Sequence, residues 1–369
     1  MAIHGSTLKV DLAVVTKSNK LAVVIATPEK YVQVYPTELS PGASMTFQGR
    51  PALLLDDAGE ERVVYAVTTH GHLVRCNHRD GEWSDYMPTM EEHVPDVTLA
   101  GSVAVIAGRT ATAYEVYGIT TEQRLVRILI DGDATSVDYP VETAVAADVH
   151  GLRFAGSPAA IDFDAAAGKR LVYAITTDGV LVELWGEGDR WELGYPADES
   201  GEPQRRFRGS PNARLARKGT SDVTKYVAAF TTADELVSFT GKHGSRGLGH
   251  FGKPRTFRGD RIAMLTATPD YGGVVLAAVT ADRRLVCFDS VRGEVHPAEA
   301  AEYPAPTFRG DVRVTFHEGR LFIHAVTQGE KLVQFRSDPI GDPSVFKLPD
   351  RWSYLEMGDW AGGGTDVGR

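Results

Sequence analysis

Leu171-Val172-Tyr173-Ala174-Ile175-Thr176-Thr177-Asp178-Gly179-Val180-Leu181-Val182-Glu183-Leu184-Trp185 is the stretch whose reading decides the fold. Two runs rich in β-branched and aromatic residues flank Asp178-Gly179, and Asp-Gly supplies the positive φ of a two-residue hairpin turn. Shorter runs stand on either side, residues 159–164 before it and 190–195 after it. Pro196 ends the last, because proline has no N–H to give to a further ladder. The segment reads as four consecutive antiparallel strands.

Its central phrase is a small residue, a hydrophobe, Thr, four variable residues and Leu. It occurs as Val14-Val15-Thr16 with Leu21, Ala66-Val67-Thr68 with Leu73, Gly118-Ile119-Thr120 with Leu125, and Ala174-Ile175-Thr176 with Leu181. It returns as Ala229-Phe230-Thr231 with Leu236, Ala278-Val279-Thr280 with Leu285, and Ala325-Val326-Thr327 with Leu332. Successive Thr are 52, 52, 56, 55, 49 and 47 residues apart. Repeats of this length built from short strands predict a β-propeller, one four-stranded blade per repeat. The small residue shares a strand face with Thr, and Ala or Gly there lets neighbouring blades pack closely. The four residues between Thr and Leu follow no pattern beyond their number.

A second phrase, aromatic-x-Gly, stands before the first strand of a repeat. Its copies are Phe47-Gln48-Gly49, Phe154-Ala155-Gly156, Phe207-Arg208-Gly209, Phe257-Arg258-Gly259 and Phe308-Arg309-Gly310, with Leu99-Ala100-Gly101 a weaker one. None precedes Thr16, whereas Trp360-Ala361-Gly362 follows the last repeat with no Thr phrase after it. The expected architecture is therefore all-β: a seven-bladed propeller with four antiparallel strands per blade, forming a single domain over residues 1–369. Its closing blade is shared by the N- and C-termini, three strands from the start and one from the end. Closure of this kind removes two free sheet edges.

Hydrophobic residues make up 43% and charged residues 24%, the balance of a soluble globular chain. A net charge of −10 argues against nucleic acid or an anionic membrane as partner, since both require clustered Lys and Arg. The exception is the basic stretch 205–218, which reads as a solvated face or as a local anion site. There is no signal-peptide pattern and no apolar run of bilayer length. Cys76 and Cys287 fall in repeats that are not neighbours, so no disulfide and a cytoplasmic location are expected.

A site shared by several blades would show as a polar residue at one offset. Arg208, Arg258 and Arg309 hold the middle of aromatic-x-Gly in three consecutive repeats, where Gln48, Ala100 and Ala155 stand in others. They point away from the Phe and Gly face, so they are positioned to hold a carboxylate, phosphate or sulfate at an axial mouth. The alternative is that each braces two blades by pairing with an acid such as Asp260 or Asp311. His70 and His72 flank Gly71 in a turn and are candidates for ligand contact. With His93 they lack the spacing of a metal site, and no metal or cofactor is expected. Trp83 and Trp191, like Tyr31, lie fifteen residues after the repeated Thr. On the outer strand they offer surfaces on which a sugar ring stacks, or else they seal blade against blade. Asp56-Asp57 and Asp131-Gly132-Asp133 do not match calcium-loop spacing. No Gly-x-Ser-x-Gly elbow, phosphate loop, zinc-protease helix or dinucleotide fingerprint is present.

With seven such repeats, and with the runs Arg351-Trp352-Ser353-Tyr354-Leu355-Glu356-Met357-Gly358 and Trp360-Ala361-Gly362-Gly363, the chain resembles the propeller lectins, including the tectonin-like and bacterial fucose-binding groups. The resemblance is one of architecture across the chain. The Trp-rich signature those lectins tend to carry in nearly every blade is matched at these two runs only, so no sugar-binding residue is carried over. It implies a non-enzymatic binding propeller whose partner is a small molecule or glycan, held on the loop-bearing face. An enzyme with one asymmetric site in the axial pocket, of hydrolase or lyase type, is the second reading, and a protein-interaction scaffold the third.

Overall fold

The computed structural model describes residues 10–15, 18–26, 31–35, 44–55, 61–79, 82–91, 94–110, 112–132, 134–144, 151–164, 167–199, 201–218, 222–242, 249–250, 255–256, 259–266, 274–280, 282–289, 294–304, 307–317, 319–329, 331–340 and 348–359. The described strands form seven antiparallel sheets, numbered here in chain order. Five have four strands in sequence order. The fifth sheet has an outer edge shared by Gly249–His250 and Arg255–Thr256, both paired with Glu235–Lys242. The first sheet has the three strands Val10–Val15, Leu21–Ala26 and Tyr31–Tyr35. Residues 360–369, where the expected closing strand falls, lie outside the described residues.

The first strands of successive sheets lie side by side in order: Val10–Val15, Phe47–Leu55, Ala104–Ala107, Phe154–Asp164, Phe207–Lys218, Gly259–Thr266 and Phe308–His317. The sheets radiate from this inner row and stack face to face, which is the β-propeller that the repeats predict. The fourth sheet matches the reading of its segment, with Phe154–Asp164, Lys169–Thr176, Leu181–Glu187 and Arg190–Gly194. Among the described residues no helix is long and apolar enough to cross a membrane.

The period-two alternation of each second strand decides which neighbour a side chain meets. In Arg62–Thr68, Val64 and Ala66 pack with Ala13, Leu21 and Val23 of the first sheet, while Val63, Tyr65 and Val67 pack with Leu99, Val116 and Val126 of the third. In Lys169–Thr176, Val172 and Ala174 face Tyr117, Ile119 and Leu125, while Leu171, Tyr173 and Ile175 face Phe207, Val227 and Ala229. Both faces are covered, so these strands read as continuous apolar runs. Each such side chain removed from water contributes about 1.5–3 kcal/mol.

The hairpin is not the two-residue turn that Asp178-Gly179 suggests. Thr176 N donates to Val180 O at 2.9 Å and Thr176 Oγ1 accepts from Val180 N at 2.9 Å, enclosing three residues. The last, Gly179, has φ +84°. The same Oγ1 closure forms at Thr68, Thr120, Thr231, Thr280 and Thr327. The turn residues are therefore not free: Asn19, Gly71, Gln123, Asp234 and Arg283 hold the same left-handed position. This is the type I turn with an added left-handed residue that three-residue hairpins use. It aims that residue's carbonyl at the next sheet, where it accepts the N–H that opens the second phrase. Phe47 N donates to Asn19 O at 2.6 Å, Leu99 N to Gly71 O at 2.8 Å, Phe154 N to Gln123 O at 2.8 Å, Phe207 N to Gly179 O at 2.7 Å and Phe308 N to Arg283 O at 2.7 Å.

The second phrase does not precede the first strand but begins it. Phe47, Phe154, Phe207 and Phe308 pair with Thr68, Thr176, Thr231 and Thr327, and Leu99 makes an isolated bridge to Thr120. The ladder then slips, between Gln48 and Ala52 in the second sheet and between Ala155 and Ala159 in the fourth. The slip is a β-bulge built on a glycine of positive φ, Gly49 at +69°, Gly156 at +73° and Gly209 at +74°. A Cβ on Gly49 would stand 2.5 Å from Ser102 N of the next sheet. Glycine is what lets the inner strands approach, and Arg50 N then donates to Ser102 Oγ at 2.6 Å and Ser157 N to Ser210 Oγ at 2.8 Å.

Two buried charge clusters join the middle sheets. Lys225 Nζ of the fifth sheet lies 2.9 Å from both carboxylate oxygens of Glu183 of the fourth, which also accepts from Tyr173 Oη at 2.6 Å. Glu115 of the third sheet pairs with Arg170 of the fourth at 3.0 Å and with Arg127 at 3.7 Å. Burial, with the Glu115 carboxylate beside it, pushes the Tyr117 phenol well above its ordinary range. No pattern in the repeats announced these clusters.

Candidate functional site

In a four-stranded antiparallel meander, the hairpin between strands two and three and the linker to the next sheet must emerge at the same end. One face of the disc therefore carries the hairpins after the repeated Thr and all the linkers. Loops held on such a scaffold are where ligand contacts are expected.

At the axial end of this face, aromatic-x-Gly of the second, third and fourth sheets surrounds a cavity of about 460 Å³. Its lining includes Gln48, Ser102, Thr120, Thr121, Gln123 and Ser157, with the small Ala100 and Ala155 between them. Gln48 Nε2 donates to Leu99 O at 3.3 Å. No ionisable side chain is among the described residues that line it.

Further out, the residue four after the repeated Thr meets the linkers. Arg124 Nε and Nη2 donate to the two carboxylate oxygens of Glu142 at 2.7 and 2.6 Å, and its guanidinium lies 3.6 Å from the centre of the Tyr139 ring. The Glu142 bonds hold the Arg124 pKa above its ordinary value. Arg284 bonds Glu299, one turn beyond His296. Lys331 Nζ donates to Glu356 Oε2 at 2.8 Å, and Tyr303 Oη donates to Glu356 Oε1 at 3.1 Å. Lys331 holds Glu356 below the usual carboxylate range, while burial and Glu356 push the Tyr303 phenol up to about 12. The exposed ring of Tyr354 stands edge-on to Tyr303 with centroids 4.8 Å apart. In the fifth sheet Glu235 holds this position and accepts from Arg205 Nη1 at 2.6 Å, while Arg205 Nη2 donates to Glu202 at 2.9 Å. A groove of about 460 Å³ opens there, lined by Gln204, Arg206, Thr231 and Thr232 as well.

The recurring constellation is thus a cation bonded to a carboxylate, with an aromatic ring beside it in the third and seventh sheets. Guanidinium or ammonium donors next to carboxylate acceptors and an aromatic surface match the vicinal hydroxyls and the apolar face of a sugar ring. The sequence carries a signal for it. The linkers open with an aromatic or His, then Pro and an acid: Tyr139-Pro140-Val141-Glu142 and His296-Pro297-Ala298-Glu299, with Tyr35-Pro36-Thr37-Glu38 the same.

The residues singled out from the sequence scatter. Arg208 bonds Asp234, the left-handed residue of its own sheet's hairpin. Arg309 is the second residue of the seventh sheet's first strand, and Arg258 lies outside the described residues. Gln48 lines the axial cavity. His70 is exposed at a hairpin tip, and His72 is half-buried, four after Thr68. His93 lies outside the described residues. Trp83 is half-buried against His78 with ring centroids 5.0 Å apart. Trp191 is 0% exposed, stands edge-on to Tyr117, and has the guanidinium of Arg170 4.9 Å from its ring centre. It seals the third sheet against the fourth and offers no surface to a ligand. In the basic stretch 205–218, Arg205 pairs with Glu202 and Glu235 and Arg208 with Asp234. Cys76 and Cys287 are free thiols, both buried.

No family model matches the sequence, and no curated protein matches it. Solved structures do match the fold. A lectin from Burkholderia pseudomallei superposes with a TM-score of 0.64 at 13% identity, over 95% of this chain and 95% of that one. AofleA from Arthrobotrys oligospora gives 0.53 at 12% identity, over 85% and 88%. The Aleuria aurantia lectin, described as a six-bladed β-propeller with a novel fucose recognition mode, gives 0.51 at 11% identity, over 86% and 96%. At these identities the likeness is one of fold, and the β-propeller is what the chain shares with them.

Proposed function

We propose that the protein is a non-enzymatic, carbohydrate-binding propeller that takes glycans on its loop-bearing face. The observation that carries this reading is the repeated cation–carboxylate pair beside the linkers, with its neighbouring aromatic rings in the third and seventh sheets. The fold likeness to solved lectins, among them a protein described by its fucose recognition, supports it. Seven blades are part of the proposal, the first completed by residues 360–369; the seven Thr phrases and seven described sheets support that number. A cytoplasmic setting is likewise proposed, supported by the two free, buried thiols.

The test is a glycan array that includes fucosylated and non-fucosylated oligosaccharides, followed by calorimetry on the best binder. The expected outcome is saturable binding with more than one site per chain, and fewer sites in Arg124→Met and Lys331→Met. An array on which no glycan is retained rejects the carbohydrate reading.

A further inference from the structure

The axial cavity differs from the outer constellations in chemistry. Its described lining is uncharged: two carboxamides, four hydroxyls, the apolar Ile119 and Phe154, and small residues between them. The peripheral positions of the third, fifth and seventh sheets instead carry ion pairs. The hydroxyls have capacity to spare. Ser102 Oγ accepts from Arg50 N and Thr120 Oγ1 accepts from Arg124 N, so both keep their own proton for a ligand. Among the described residues, the side chains of Thr121, Gln123 and Ser157 make no hydrogen bond.

The cavity has an identifiable origin. The middle residue of aromatic-x-Gly is Arg in the fifth, sixth and seventh repeats and Ala in the third and fourth. Arg208 fills the space in front of its own hairpin and bonds Asp234 there. Ala100 and Ala155 leave the equivalent space empty, and the hairpin positions matching Asp234 are Gln123 and Gly179, neither of which calls for a cation. Two Arg-to-Ala differences therefore open one side of the mouth and remove its charge. At about 460 Å³ the space lies within the roughly 300–1,000 Å³ of small-ligand sites.

We infer that the axial mouth is a second, single-copy site for one small uncharged polyol, of monosaccharide size. It is distinct from the charged sites near the rim. The inference rests on the carbohydrate reading and adds a site to it. An anion is disfavoured because the described lining offers it no cation. An apolar ligand is disfavoured because it would strand the hydroxyls and carboxamides unpaired.

The experiment is calorimetric titration with the methyl glycosides of D-glucose, D-mannose, D-galactose and L-fucose. The proteins compared are the full chain, Ala155→Arg and Gln123→Gly. Ala155→Arg places in the fourth repeat the residue that the fifth already carries. Gln123→Gly removes a carboxamide at a left-handed position where the second and fourth repeats already have glycine, so folding is preserved. The expected result is that Ala155→Arg loses one binding event per chain and Gln123→Gly weakens that same event, while the other events are unchanged. If both variants titrate like the parent, the axial site is refuted and the rim sites stand. If the parent chain binds none of the four while the glycan array is positive, the axial site alone falls. If the array is negative too, both readings fall.

Discussion

Replacing Lys225 with Met tests how the sheets are held to one another. Lys225 is 1% exposed and Glu183 4%, and the ammonium sits 2.9 Å from both carboxylate oxygens. Methionine fills nearly the same volume, so the cavity term is small and the change isolates the charge. It leaves a carboxylate buried with Tyr173 as its remaining described donor. Breaking one side of a buried pair costs about 3–5 kcal/mol, and the surviving Tyr173 bond favours the lower end. At about 2.1 cal/mol/K per residue, a chain of 369 residues has an unfolding entropy near 0.8 kcal/mol/K, so Tm should fall by about 4–5 °C. Trp185, whose ring centre is 5.7 Å from Lys225 Nζ, reports the transition by fluorescence. Combining Lys225→Met with Glu183→Gln removes both charges yet keeps an acceptor for Tyr173, and should restore Tm to within about 2 °C. A single variant that loses less than about 1 °C, or a double variant whose losses simply add, would refute the reasoning.

Two further outcomes follow from the same structure. His324 is fully enclosed and bonded to Gln334 at 3.0 Å, and burial pushes its pKa down from 6.5 to about 4. The unfolded chain therefore takes up a proton below pH 6.5 that the folded chain refuses until about pH 4, and stability falls as pH drops through that window, by up to about 3 kcal/mol. His324→Asn should flatten this part of the stability-versus-pH curve relative to the parent, and identical slopes would contradict the assignment. Gly156→Ala combines φ +73° with a Cβ that collides with the carbonyl oxygen of Gly209, whereas Gly132→Ala combines φ +59° with open space. The first should cost more than about 2 kcal/mol and the second about 1, read as thermal shifts of about 3 °C or more against about 1 °C.

Much of the fold is legible because it is written in local chemistry. The Thr phrase works within a span of five residues, a hydroxyl closing a turn whose third residue turns left-handed, and such short-range demands recur wherever the turn recurs. The Phe of the second phrase recurs because it sits opposite that Thr at the crowded start of the inner strand. What escaped was the use made of these positions between sheets. That the left-handed carbonyl of one hairpin meets the Phe N–H of the next sheet needs the stacking, not the spacing.

The candidate site divides along the same line. Trp83 and Trp191 hold one offset in their repeats, yet one ring keeps partial exposure beside His78 and the other is closed in by Tyr117 and Arg170. Arg208 shares its offset with Ala155 of the preceding repeat, and Asp234 at its own hairpin gives it a partner. By itself the sequence determined the all-β repeat, its turns and the face on which loops gather, because period and turn chemistry act over a few residues. Only the tertiary structure decided that Lys225 meets Glu183 across 42 positions, that Arg124 reaches Glu142, and that Ala100 and Ala155 open a cavity at the axis. Those facts depend on how far a side chain reaches once two sheets are stacked, and no spacing along the chain encodes that distance.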